Sequence, residues 1–194
     1  MKLKLFSLCA AMSILTGCDV LKQEAAGLYN MTQCKYEYNS ISNLSLSGMN
    51  LSSGISALNM TKILALFSGQ SSSIPLSFTL NLGVSNPNTT AALMHGLDYI
   101  VNIDGVQFTT GSVAQELNVP AGGRQTLPLS IGFDLASMMT GDSKSAVTNI
   151  VKNFLGIGSQ KSNVSVQIKP SFLIGNQRIA APMYIPVDFS FGGK

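Results

Sequence analysis

Between Leu76 and Ser85 the chain alternates with period two. Leu76, Phe78, Leu80, Leu82 and Val84 are apolar; Ser77, Thr79, Asn81, Gly83 and Ser85 between them are polar or small. Successive side chains of a strand point to opposite faces, so this run predicts one buried and one wet face. The alternation recurs at Leu97, Tyr99, Val101 and Ile103, at Leu127, Leu129, Ile131, Phe133 and Leu135, and at Val164, Val166 and Ile168. Cys34 to Leu51 reads as a long, bulged first strand, Val106 and Phe108 lead a return strand, and Val113 to Val119 reads as another. Ile179, Met183, Ile185, Val187, Phe189 and Phe191 form the last. Asn86-Pro87-Asn88 stops the first alternating run, because proline lacks a ladder donor and asparagine side chains bond their own backbone. Asp104-Gly105 supplies a hairpin turn, Pro120-Ala121-Gly122-Gly123 a loop, and Gly175-Asn176 a final turn. Pro170, Pro182 and Pro186 place the last two strands at a sheet edge or at bulges.

Two segments change period. Ala57, Met60, Ile63, Leu64 and Phe67 fall at helical spacing, with Ser53 to cap the start and Gly69 the end. After Asp142, a candidate cap, Ala146, Val147, Ile150, Val151, Phe154 and Leu155 make one apolar stripe that Gly156 ends. This second helix is expected to pack across the open end of the sheets; Lys144 and Lys152 are too few cations for a helix lying on a membrane. About seven strands with regular turns predict a mainly β domain, an antiparallel β-sandwich with two inserted helices. The domain runs over residues 34–194. The polar, mixed stretch before it reads as a tether, with room for one or two helical turns, that extends to at most about 50 Å.

The first residues change what that tether is attached to. Lys2 and Lys4 precede an apolar run, Leu5 to Leu15, of about a dozen residues, whereas a membrane-spanning helix needs roughly 20. The segment is an export signal, not a span. It ends in Leu15-Thr16-Gly17-Cys18, which resembles the lipobox of bacterial lipoproteins. The resemblance implies a signal peptide over 1–17, a diacylglycerol thioether on Cys18, and an acylated new N-terminus, with 18–33 as lipidated end and tether. The partner it implies is membrane lipid, held through the Cys18 acyl chains, in the bacterial cell envelope. Asp19 follows the cysteine; in some bacteria that residue retains lipoproteins at the inner membrane, but sorting differs by lineage, so inner and outer membrane both stay open.

Cleavage also removes Lys2 and Lys4, so twelve basic residues against nine acidic ones become ten against nine, and the net charge of +3 falls to about +1. Without a cluster of Lys and Arg there is no footprint for nucleic acid. Charged residues are 11% of the chain, against about 25% in typical soluble domains. Of three cysteines, Cys9 leaves with the signal and Cys18 carries lipid. Cys34 remains alone, so no disulfide forms within the mature chain; it is expected as a small half-buried residue of the first strand, with an intermolecular disulfide or a reactive thiol as the alternative.

The run Phe78-Thr79-Leu80-Asn81-Leu82-Gly83-Val84-Ser85-Asn86-Pro87-Asn88 resembles the strand and Asn-Pro-Asn signature of late embryogenesis abundant group 2 (LEA type 2) proteins, with their water-stress and hypersensitive response domain. Gly96-Leu97-Asp98-Tyr99, Asp104-Gly105 and Val119-Pro120-Ala121-Gly122-Gly123 continue the likeness as far as Leu135. The resemblance implies an immunoglobulin- or fibronectin III-like sandwich, a link to stress responses, in some relatives to membranes and lipids, and no catalysis or cofactor. The residues agree on chemistry. His95, the single histidine, sits before a turn, where a surface role is expected. Asp98 and Asp104 are expected to face solvent, and Gly122-Gly123 lacks the Lys-Ser/Thr of a phosphate loop. No catalytic or metal constellation is expected. Two readings remain: a structural or interaction module of the envelope, protective under stress, or a carrier of lipid or another hydrophobic ligand.

Overall fold

The computed structural model describes residues 22, 24–68, 71–139, 143–174 and 176–193. The lipobox with Cys18, Asp19, the expected caps Gly69 and Asp142, and Gly175 of the last turn lie outside the described residues. The elements are α1 (residues 24–33), β1 (Lys35–Leu46), β2 (Met49–Asn50), α2 (Ala57–Ser68), β3 (Pro75–Ser85), β4 (Ala92–Met94) and β5 (Gly96–Ile103). They continue with β6 (Val106–Val113), β7 (Leu117–Val119), β8 (Arg124–Asp134), α3 (Ser143–Phe154), β9 (Ser162–Ile174), β10 (Gln177–Ala180) and β11 (Ile185–Phe191). The protein is mainly β, with every strand pair antiparallel.

Of three sheets, one has the order β2-β1-β3-β8, a second runs β10-β9-β5-β6 with β11 also on β9, and β4 and β7 form a small third. The alternation of β3 becomes its burial: Leu76, Phe78, Leu80, Leu82 and Val84 point into the core. Register sets Phe78 opposite Ile131, Leu80 opposite Leu129 and Leu82 opposite Leu127, so facing positions on both strands are apolar. Leu97, Tyr99, Val101 and Ile103 of β5, with Val164, Val166 and Ile168 of β9, close the same core from the second sheet. Aromatic pairs join the sheets at both margins. Tyr38 of β1 stacks on Phe189 of β11 at 4.2 Å, and Phe108 of β6 meets Phe133 of β8 edge-on at 5.3 Å. The expected bulges of β1 are present as register shifts between Tyr38 and Ser40 and between Ser42 and Ser45. The Asp104-Gly105 hairpin has φ of 50° and 80°, the left-handed pair that matches strand twist.

Several boundaries differ from the sequence expectation. The segment Val113–Val119 is not one strand: Val113 ends β6, and β7 pairs with the three-residue β4. Leu135 leaves β8 for a 3₁₀ turn. Asp134 caps that turn, accepting from Ser73 Oγ at 2.6 Å, Ile74 N at 2.7 Å and Ala136 N at 2.9 Å; these bonds hold its carboxyl below the usual range because they favour the ionised form. The last strand divides into β10 and β11, both on the side of β9 away from β5. Pro170 therefore sits in an interior strand, not at an edge. Its carbonyl accepts from Ala181 N at 2.8 Å, so its ring nitrogen faces the gap where β10 has ended and β11 has not begun. No ladder donor is missed there. Pro182 lies in that gap, and Pro186 is in β11 at the sheet edge.

Two helices close one end of the sheets. α2 starts at Ala57 and is capped by Ser56, whose Oγ accepts from Asn59 N at 3.2 Å; Ser53 lies upstream and does not cap it. Ile63 and Phe67 are buried, whereas Leu64 of the expected stripe is exposed. α3 packs across the end of the core as expected, with Phe154 fully buried between Phe78 at 5.4 Å and Phe191 at 5.0 Å.

Candidate functional site

At the opposite end, the segment read as a tether is largely a helix fixed to the domain. Met31 of α1 is 0% exposed and joins the main core, and Leu28 packs on Phe172 of β9 and Ala181. The approach is close: a Cβ on Gly27 would come within 2.8 Å of the Leu93 Cβ, so only glycine lets α1 lie this near β4. Leu28, Met31 and the small residues Ala25, Ala26 and Gly27 are the local signal for this docking.

The Asn-Pro-Asn corner holds the helix. Asn86 is 2% exposed; its amide nitrogen donates toward the carbonyls of Thr90, Val119 and Pro120 at 2.9, 3.0 and 3.1 Å. Its Oδ1 accepts from the Asn88 backbone at 3.0 Å and from Asn88 Nδ2 at 2.8 Å. Asn88 Nδ2 also donates to the Asn30 carbonyl in α1 at 3.2 Å. Asn30 returns the contact, donating to Thr90 Oγ1 at 2.7 Å and to the Ala91 carbonyl at 2.9 Å. Tyr36 Oη donates to the Met31 carbonyl at 2.8 Å. The motif thus does more than stop β3: it satisfies a buried loop and grips the last turn of α1.

His95 faces α1 as well, with Nδ1 3.6 Å from Glu24 Oε2. The two serines that line the same hollow are committed elsewhere: Ser112 Oγ donates to Asp98 Oδ1, and Ser171 Oγ accepts from Arg178 Nε at 2.6 Å. Asp98 also takes Arg178 Nη1 at 2.7 Å, so it is a paired surface group. Asp104 is a turn residue, tied to β9 by accepting from Asn163 N at 2.8 Å. Cys34, directly before β1, is buried and free. Burial pushes its thiol up to about 11, which leaves little reactive thiolate at neutral pH. Among the described residues no three His, Cys, Asp or Glu side chains come together as a metal site.

The helix-capped end carries an apolar groove of about 480 Å³ between α2 and the end of α3, lined by Leu44, Leu51, Ile55, Met60, Phe154 and Phe191 among others. Its size falls in the range of small-molecule sites, and no charged side chain is among its described lining.

No protein-family model matches the sequence, and no curated protein matches it. Among solved structures, the chain is similar to a protein from Archaeoglobus fulgidus at 16% identity, over 81% of this chain and 98% of that one, with a TM-score of 0.38. It is similar to a protein described as a late embryogenesis abundant (LEA) protein at 10% identity, over 98% of this chain and 89% of that one, with a TM-score of 0.41. A third, from Arabidopsis thaliana, shares 8% identity over 82% of each chain, with a TM-score of 0.43. Likeness at this level assigns neither a family nor an activity to this chain.

Proposed function

We propose that the protein is a non-catalytic, lipid-anchored lipoprotein of the bacterial cell envelope, and that its β domain is a LEA type 2-like, immunoglobulin-type sandwich acting as a structural or interaction module in stress protection. The observation that supports it best is the docking of α1. A helix packed through Met31 and gripped by Asn88 includes Glu24, six residues after Cys18, so acyl chains on Cys18 would attach close to a segment fixed to the domain. Each buried methylene contributes about 0.8 kcal/mol, and two or more chains make such anchoring stable. The corner that carries the family resemblance is the one that grips this helix. No helix among the described residues is long and apolar enough to cross a membrane.

The test is fractionation of an expressing bacterium with Cys18→Ser beside the wild type. The wild-type chain is expected in the membrane pellet, resistant to high salt, and the variant in the soluble fraction or as uncleaved precursor. A wild-type chain recovered in the soluble fraction overturns the reading. Separating inner from outer membrane in the same experiment assigns the leaflet.

The groove between α2 and α3 favours a second reading, a binder of lipid or another hydrophobic ligand. Its lining offers apolar contact and no charged group to fix an ionic headgroup.

A further inference from the structure

The outer face of the second sheet holds a polar hollow of about 480 Å³, lined by Asn102, Gly105, Asn163, Ser165, Asp188 and Ser190 among others. Its size falls in the range of small-molecule sites. Register places the lining. Ser165 of β9 is directly opposite Asn102 of β5 on one side and Asp188 of β11 on the other. Residues so paired have Cβ atoms about 5 Å apart, so the three side chains form one row across three strands. Asn163 and Ser190 make the neighbouring pair on β9 and β11. All five are on the wet face, since burial alternates along these strands and Ile103, Val164, Val166 and Val187 point the other way into the core.

On other parts of the outer faces the same residue types bond within the chain. Asn81 Nδ2 donates to Ser40 Oγ at 3.1 Å and to Ser42 Oγ at 3.0 Å, and Asn43 Nδ2 donates to Thr79 Oγ1 at 3.2 Å. Further along β5, Asp98 accepts from Ser112 and Arg178. In the hollow Ser190 Oγ donates to Asn163 Oδ1 at 3.2 Å, but the side chains of Asn102, Ser165 and Asp188 make no hydrogen bond to any described residue. An aligned amide, hydroxyl and carboxylate are thus left open at the floor of one hollow.

Their chemistry selects the occupant. No Lys or Arg is among the described lining, so an anionic ligand meets no counter-charge, and Asp188 repels it. An extended peptide adds to a sheet edge, whereas β9 is paired on both sides here. Sugar hydroxyls match the row. Each both donates and accepts, as the amide and hydroxyl require, and neighbouring hydroxyls can donate to the two oxygens of one carboxylate. We infer that this hollow binds an uncharged glycan, with ring hydroxyls bonded to Asn102, Ser165 and Asp188.

The test is nuclear magnetic resonance titration of the full-length protein in lauryldimethylamine oxide, a detergent without a sugar headgroup. The probes are chitohexaose and cellohexaose, with hexagalacturonate as the anionic counterpart. At least one neutral hexaose is expected to give saturable amide shifts centred on residues 102, 165 and 188. Asn102→Ala and Asp188→Ala are each expected to weaken that binding about tenfold, and Ser130→Ala, exposed on β8 of the other sheet, to leave it unchanged. The substituted side chains face outward, so the core is kept, and the wild-type shifts place the ligand independently of any variant. No saturable shift with either neutral hexaose overturns the site, as do shifts centred elsewhere or affinities unchanged in both hollow variants. Hexagalacturonate bound as tightly as the neutral probes overturns the assignment to an uncharged glycan.

Discussion

Phe154→Ala lowers the stability of the domain by about 3–5 kcal/mol, read as a fall of about 6–20 °C in the thermal midpoint for a domain of this size. The side chain is completely buried and touches Phe78 of β3 and Phe191 of β11. Its loss removes transfer energy and opens a cavity where three elements meet. Collapse is poor there, because the neighbours belong to two sheets fixed by their own ladders. Phe154 also pins α3, and through Phe191 the edge strand β11. Phe154→Leu restores much of the volume and is expected to lose less than half as much. Melting followed by circular dichroism decides; a loss below about 1 kcal/mol contradicts the placement of α3 as the closure of the core.

Asn86→Asp is expected to cost about 2–5 kcal/mol at neutral pH, although it changes one atom, because the buried donor becomes a charged oxygen facing only acceptors. The amide nitrogen at this site faces three carbonyls. A carboxylate oxygen put there faces acceptors with nothing to donate. The introduced carboxyl is held above its unfolded value, since only the protonated form can donate. The sign follows: the variant approaches wild-type stability below about pH 4, the unfolded value of a carboxyl, and falls behind as the pH rises through the folded value. Chemical denaturation at acidic and neutral pH measures the difference. Because the same residue positions Asn88 against Asn30, limited proteolysis at neutral pH is expected to cut the variant at α1 sooner than the wild type. Equal stability at both pH values contradicts the role given to the corner.

What was legible in the sequence was whatever depends on near neighbours in the chain. The alternation of β3 and β8 follows from one buried face and needs no knowledge of the partner. The stripe of α3 and the Asp104-Gly105 hairpin are local in the same sense. Long-range pairing was not legible. Pro170 read as a residue of an edge or a bulge because a proline normally removes a ladder bond; the interruption between β10 and β11 leaves room for it inside the sheet. Asn86-Pro87-Asn88 was recognised as a stop, yet its grip on α1 spans 58 residues between Asn88 and Asn30. The stretch before Cys34 read as a tether because its polar and apolar residues are mixed, and Gly27 by itself announces no close approach. In the folded chain that glycine is where α1 comes closest to Leu93. His95 looked like an isolated surface group for the same reason, since Glu24 reaches it only once α1 has docked.

Lipid on Cys18 is proposed to hold a domain whose first helix is docked on its sheets. The mass of the N-terminal peptide of the protein isolated from membranes tests it most directly. The peptide is expected to begin at Cys18 and to carry a diacylglyceryl group on sulfur and a further acyl chain on the amine. A peptide that retains residues 1–17, or begins elsewhere with Cys18 unmodified, would contradict it.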